Sequence, residues 1–309
     1  VTLIGRSAGA SINSTDANGT VAVGYGALTA LTNGQNNVAI GQNAGNEIST
    51  GDKNTVIGHE AGSELKDDLN NTFLGSYAGY MVESDENTFI GVEAGEGSSG
   101  NTTGGQNVAV GYRSMESYTT ANKNVAVGDT ALQLNTTGNQ NVSIGMRASQ
   151  YNSVGSNQVV IGNEAGRYAT GSLNVFIGTN AGKGGTTSAP FSSGQYNTVV
   201  GAYALDAFTT GQQNVAIGYQ AGTDLTTGYY SAYIGVQAGQ NVTSGNTHVF
   251  IGFQAGNNVT DTSQQIAIGY RAGYANGGAM DVFIGYEAGL NVTAGDNIGI
   301  GRNAGRGYH

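Results

Sequence analysis

The chain has 309 residues, a net charge of −10, only 10% charged residues, 53 glycines, one proline and no cysteine. The negative balance argues against nucleic acid as a partner, since phosphates call for basic patches. No run of about 18 apolar residues is present to insert in a membrane, no signal peptide is visible, and the lack of cysteine leaves the redox compartment open.

From Val1 onward the chain repeats one phrase: a β-branched residue, a variable residue, an aliphatic residue, a glycine and, three residues later, alanine. The motif glycines fall at 5, 24, 41, 58, 75, 91, 111, 128, 145, 162, 178, 201, 218, 235, 252, 269, 285 and 301, which makes 18 copies. Most spacings are 16 or 17, and the long ones are 19, 20 and 23. Such a period indicates stacked units. It is too short for a helix pair and suits one coil of a β-solenoid, with two short strands and two turns. The predicted fold is all-β: 18 coils of about 17 residues forming one elongated repeat domain over 1–309. At about 4.8 Å per coil the stack would reach roughly 85 Å. The strict apolar register sets the chain apart from disordered sequences of similar composition.

The residue before the glycine is Ile, Val or Leu in all 18 copies, and the residue two earlier is Val, Thr or Ile in 17. Alternate residues of a strand share a face, so these two columns are expected to build the coil interior. The residue between them then points outward. It is uncharged in every copy and includes Val56, Phe73, Phe89, Val160, Phe176, Val199, Tyr233, Phe250 and Phe283. An exposed apolar stripe of that extent calls for a cover. These nine residues are therefore predicted to form the contact between copies of the chain in a homotrimer; a second layer of the same chain is the alternative, and no segment is left over to supply it. The Ala three after the glycine implies a tightly enclosed position. The Gly that follows it in 13 copies implies a corner with positive φ. Asn four before the glycine, in 11 copies, is expected to stack as a ladder.

Breaks in the rhythm mark candidate loops. The 20-residue spacing before Gly111 reads as a plain loop. The 23-residue spacing before Gly201 is expected to bulge, and it carries Pro190 and Phe191 as binding candidates. The residue after the glycine is aromatic in six copies, and Tyr219, Phe253, Tyr270 and Tyr286 are candidates for holding sugar rings. The competing reading makes them a self-supporting ladder or part of the chain–chain contact. The three histidines, His59, His248 and His309, lie in different coils or at the terminus, and no catalytic or metal-ligand spacing stands out, so neither an enzyme nor a cofactor is expected. Glu60, Glu93, Glu164 and Glu287, each two after a motif glycine, read as a solvated face.

The phrase Asn-Val-Ala-Ile-Gly-x-x-Ala-Gly, as at 37–45 and 214–222, resembles the head repeats of trimeric autotransporter adhesins of the YadA type. It is also similar to repeats of bacteriophage tail-fibre and related structural proteins, where Asn-Thr-Thr-Gly commonly joins the copies, as at 135–138. The resemblance covers essentially the whole chain. It implies a left-handed parallel β-roll, trimeric, with a role in attachment. The adhesin repeat is shorter and its neck motif is not evident, which favours the phage reading. The resulting expectation is a non-enzymatic fibre or spike segment on the tail or capsid surface of a virion. Its partners would be itself, other virion proteins, and a host-surface glycan or protein. The head of a bacterial cell-surface adhesin, a capsid decoration fibre and, less favoured, an ice-binding solenoid are the alternatives. The chain opens and closes within repeats, so a segment of a longer protein is expected.

Overall fold

The computed structural model describes residues 1–12, 17–98, 102–185, 191–260 and 262–307. The chain is a parallel β-solenoid with 18 strands of three residues each, one per copy of the repeat. Its contacts divide it into two units, Val1–Ser156 and Asn157–His309. The first holds β1 (Thr2–Ile4), β2 (Val21–Val23), β3 (Val38–Ile40), β4 (Thr55–Ile57), β5 (Thr72–Leu74), β6 (Thr88–Ile90), β7 (Val108–Val110), β8 (Val125–Val127) and β9 (Val142–Ile144). The second holds β10 (Val159–Ile161), β11 (Val175–Ile177), β12 (Thr198–Val200), β13 (Val215–Ile217), β14 (Ala232–Ile234), β15 (Val249–Ile251), β16 (Ile266–Ile268), β17 (Val282–Ile284) and β18 (Ile298–Ile300). Within each unit every strand pairs in parallel with the next, in the register of the motif: Val38 against Thr55, Ala39 against Val56, Ile40 against Ile57.

The expected second strand of each coil is replaced by turns. After the strand the Gly-x-x-Ala segment closes a turn, with the Ala44 N–H donating to the Gly41 carbonyl, and the next turn follows at once, with the Ile48 N–H donating to Gly45. The few pairings outside the named strands are single bridges such as Val82 with Thr102. A corner every few residues leaves too little straight backbone for a second ladder. Coil-to-coil bonds continue around the turns nonetheless, as from the Gly45 N–H to Ala61 and from Glu47 to Ser63.

The motif glycine is required by close approach. Gly41 has φ +140°, and a Cβ there would lie 2.3 Å from the carbonyl oxygen of Gly58 in the next coil. The same clash recurs from Gly24 to Gly128 and from Gly162 to Gly285, so within each unit the glycines stack directly on one another. The residue two after the glycine has a left-handed φ in all 18 copies, although it is glycine only at Gly26.

The orientation of the strand is the reverse of the sequence expectation. Val56, Phe73, Phe89, Val160, Phe176, Val199, Tyr233, Phe250 and Phe283 are buried inside their own coils, at most 1% exposed. They are core residues and present no surface to another chain. The Val/Thr and Ile columns on either side of them face outward and are half-buried or exposed. The enclosed Ala column is confirmed: Ala27, Ala44, Ala61 and their equivalents through Ala288 are fully buried, and only Ala8 and Ala304 in the end coils are less so. A further core column, seven after the glycine, completes the interior with Leu31, Ile48, Leu65, Tyr118, Phe208, Leu225, Val242 and Val259. Phe73 stacks on Phe89 at 5.0 Å, and Phe176 packs on Phe208 at 5.6 Å. Each buried aromatic contributes roughly 2–3 kcal/mol relative to an exposed one.

Candidate functional site: the outward strand face

The strand turns two β-branched or aliphatic columns to the outside, at one and three residues before the glycine. Across 18 copies these 36 positions hold no charged residue, and the only polar ones are Thr2, Thr55, Thr72, Thr88 and Thr198. Ile217 is 39% exposed and Leu74 44%. In the first unit the face runs over β1–β9 and in the second over β10–β18, each set in register. β-branched side chains are stiff at χ1 and suit a regular, closely packed surface.

In the second unit this face is widened by aromatic rings one residue after the glycine. Phe253 and Tyr270 stack at 5.3 Å and 10°, and Tyr270 and Tyr286 at 5.0 Å and 9°. The Arg302 guanidinium lies over Tyr286 at 5.4 Å. Tyr219 meets Tyr203 edge to face at 6.2 Å. Stacking at the spacing of the coils turns the ring faces of Phe253, Tyr270 and Tyr286 toward one another. Ring edges and hydroxyls are what remain open, so the self-supporting ladder is the arrangement found. In the first unit the same column holds Tyr25 and Tyr112, with Gln42, His59, Ser76 and Val92 in the coils between them. Of the loop candidates, Phe191 is half-buried and stacks on Tyr168 at 6.2 Å, while Pro190 lies outside the described residues.

The acidic column two after the glycine is ion-paired and partly buried, a correction to the solvated face expected. Glu164 meets Arg167 at 3.1 Å and Lys183 at 3.4 Å, and Glu287 meets Arg306 at 3.3 Å and Arg271 at 3.8 Å. Glu93, Glu96 and Glu116 bring carboxylate oxygens within 4.8 Å of one another. The Arg113 guanidinium already pairs with Glu93 and lies 3.5 Å from Glu116. Burial, together with the neighbouring Glu93 and Glu116 charges, pushes the Glu96 carboxyl above its ordinary value.

The expected Asn ladder is present, and two of its details were not legible in the sequence. The Asn ladder works between coils: in the first unit Asn124 Nδ2 donates to the Gly138 carbonyl at 3.0 Å, while its Oδ1 accepts from the Asn141 N–H at 2.9 Å. His248 occupies this ladder position, fully buried and stacked on Phe250 at 4.8 Å. Neither ring nitrogen has a hydrogen bond of good geometry, and burial pushes its pKa down to about 4. The turn hydroxyls of Thr136 and Thr226 donate to the carbonyls of Ser153 and Thr243, so they do not form a free hydroxyl face.

No family model, no curated protein and no solved structure matches the chain.

Proposed function

We propose that this chain is a non-enzymatic structural segment of a fibre or spike, assembled as a homotrimer and serving attachment to a host surface as part of a phage virion. The observation that carries this reading is the uncharged outward face, repeated in every coil. Two side chains per strand over nine strands leave on the order of 1,000 Å² of mostly apolar surface on each unit, where a monomeric soluble protein usually leaves a patch of a few hundred. Covering such a face with copies of itself is the economical solution for a repeat chain, because each copy presents the same columns at the same spacing. A rigid stack of glycine-cornered coils would hold loops, such as the one reaching Phe191, at fixed positions for recognition.

Light scattering of the full chain is expected to give three times the chain mass of 31.3 kDa. A monomer at micromolar concentration would remove the basis of the reading. The attachment part is tested separately, by retention of the assembled protein on host-surface polysaccharide; retention that survives loss of residues 186–193 would move recognition away from that loop.

A further inference from the structure

In three successive coils of the second unit, the two residues before Asn197, Asn214 and Ser231 of the buried ladder are Gln195 and Tyr196, Gln212 and Gln213, and Tyr229 and Tyr230. The strands that follow them, β12, β13 and β14, pair in register, so the three pairs stack one coil apart. All six side chains are exposed, Tyr196 by 54% and Tyr230 by 56%. The patch is made of tyrosine and glutamine alone. From Ser172 to Met280 these two columns hold no charged residue, whereas the first unit has Asp52, Lys53, Asp85, Glu86 and Lys123 in them.

Among the described residues the Tyr196 side chain has no ring contact and no hydrogen bond, and the side-chain amides of Gln195, Gln212 and Gln213 have no partner. Tyr229 and Tyr230 meet edge to face at 5.1 Å and 89°, so their rings form a corner. The backbone beneath is held between coils: the Gln213 N–H donates to the Gln195 carbonyl at 2.9 Å, and the Tyr229 N–H to Asn246 Oδ1 at 2.9 Å. That backbone does not favour large side chains. Tyr196 has φ +59° and Tyr230 φ +58°, in the left-handed region that asparagine tolerates and bulky residues avoid. Asn36, Asn70 and Asn157 fill the same position in other coils. Rings kept in a strained conformation, with no role in packing the chain, point to a ligand.

We infer that this tyrosine and glutamine patch is a binding site for an uncharged polysaccharide. The rings offer apolar faces to the C–H side of a sugar ring and keep a polar tip at the hydroxyl. The glutamine amides both donate and accept, which suits sugar hydroxyls. Tyr196 and Tyr230 stand two coils, about 10 Å, apart, so one extended saccharide lying along the stack reaches both, with Gln213 between them. An anionic polysaccharide finds no cation in these columns to pair with. Tyrosine has few rotamers to lose on binding, so the surface is ready for its ligand. The inference rests on the attachment role proposed above and adds the ligand class and the residues.

Affinity electrophoresis of the intact chain in native gels containing dextran, galactomannan or polygalacturonate tests this. At least one of the two neutral polymers is expected to slow the wild-type chain, and the acidic polygalacturonate to leave it unchanged. Tyr196→Asn/Tyr230→Asn removes both rings and supplies the residue that suits the backbone, so it is expected to weaken the interaction about tenfold or more. Tyr196→Phe/Tyr230→Phe keeps the rings and is expected to stay within about threefold of wild type. Both variants should match wild type in urea midpoint and in mass by light scattering. A wild-type chain slowed by neither neutral polymer, or an asparagine variant slowed as strongly as wild type, overturns the inference. So does an asparagine variant of reduced mass, which would place the patch in a contact between copies. The attachment role is decided apart from these results, by whether the wild-type chain is retained on the host surface at all.

Discussion

Phe73 and Gly79 lie six residues apart in one coil and divide a single interior volume. A Cβ on Gly79 would sit 2.3 Å from the Phe73 ring. The same holds for Phe89 with Gly95, Phe176 with Gly182, Tyr233 with Gly239, Phe250 with Gly256 and Phe283 with Gly289. Where the strand residue is Ala22, Ala109 or Ala126, the corner carries Leu28, Met115 or Leu132, all fully buried. Gly79→Leu is therefore expected to destabilise by about 3 kcal/mol or more through overpacking, and Phe73→Ala by about 3–5 kcal/mol through the cavity it opens. The Phe73→Ala/Gly79→Leu chain recreates the Ala22/Leu28 layer and should recover at least about 1.5 kcal/mol of the summed loss in urea denaturation; strict additivity would refute the shared volume. His248 gives a pH-dependent counterpart. Its pKa in the folded chain, about 4, lies below the ordinary 6.5 because burial opposes the charged form. Between these values the unfolded chain binds a proton that the folded chain does not, so stability falls as pH drops through that window and levels off below it, by about 3 kcal/mol in all. His248→Asn should flatten this slope relative to wild type, read as the difference in urea midpoint between about pH 7 and pH 4.5. An unchanged difference would show that other groups carry it.

A coil holds together through its strand, its stacked glycines and its ladder side chain. In the second unit Asn214 Nδ2 donates to the Gly228 carbonyl at 2.8 Å, and its Oδ1 accepts from the Ser231 N–H at 3.0 Å. Asn214→Ala strands both buried backbone groups and is expected to cost about 2–4 kcal/mol, measurable as a lower urea midpoint; a loss under half of that would mean water replaces the amide. The recurrence of Asn is plain in the sequence, but its bonding is not. A side chain that bonds its own turn and one that bonds the next coil leave the same column of Asn. The second strand was misjudged for a related reason. A 17-residue period fits two strands with two turns as well as one strand with consecutive turns. The left-handed φ two residues after the glycine, which makes the second case, falls on Glu60, Arg147 and Gln237 alike and has no residue signature. The apolar column seven after the glycine was visible in principle, and its interruption by Asn135, Asn152 and Asn276 masked it.

The molecule as a whole exposes what its strands do not bury. Ile217 lies on the outward face, so Ile217→Glu should leave the coil folded at a cost below about 1 kcal/mol. It should weaken the proposed self-association by several-fold or more, because an unpaired charge would enter the contact proposed for this face. Circular dichroism and light scattering separate the two effects, and a variant that assembles as wild type would place the contact elsewhere. The same substitution at Ala216, beside it in the strand but fully buried, is expected to unfold the coil. The contrast between neighbours tests which face is inside, the point on which sequence and structure part.

Period, strand positions, glycine corners, the enclosed alanines and the presence of two apolar strand faces are all determined by the sequence, because each depends on local backbone geometry or on spacing. Alternation with a period of two has no inside or outside, and invariance was a misleading guide to it. The outward columns hold Val, Thr or Ile at all but two positions, Leu74 and Ala232, as suits a β-branched strand surface. The inward column ranges from Gly299 to Phe283 because the interior needs only its total volume filled: the corner residue supplies the difference at Ala22, Ala109 and Ala126, and side chains of the adjoining coil such as Val56 and Tyr233 reach the glycine corners beside Ala39 and Ala216. That sharing of volume between positions six residues apart exists only once the coil has closed, so the tertiary structure alone decided which face is core and which faces outward.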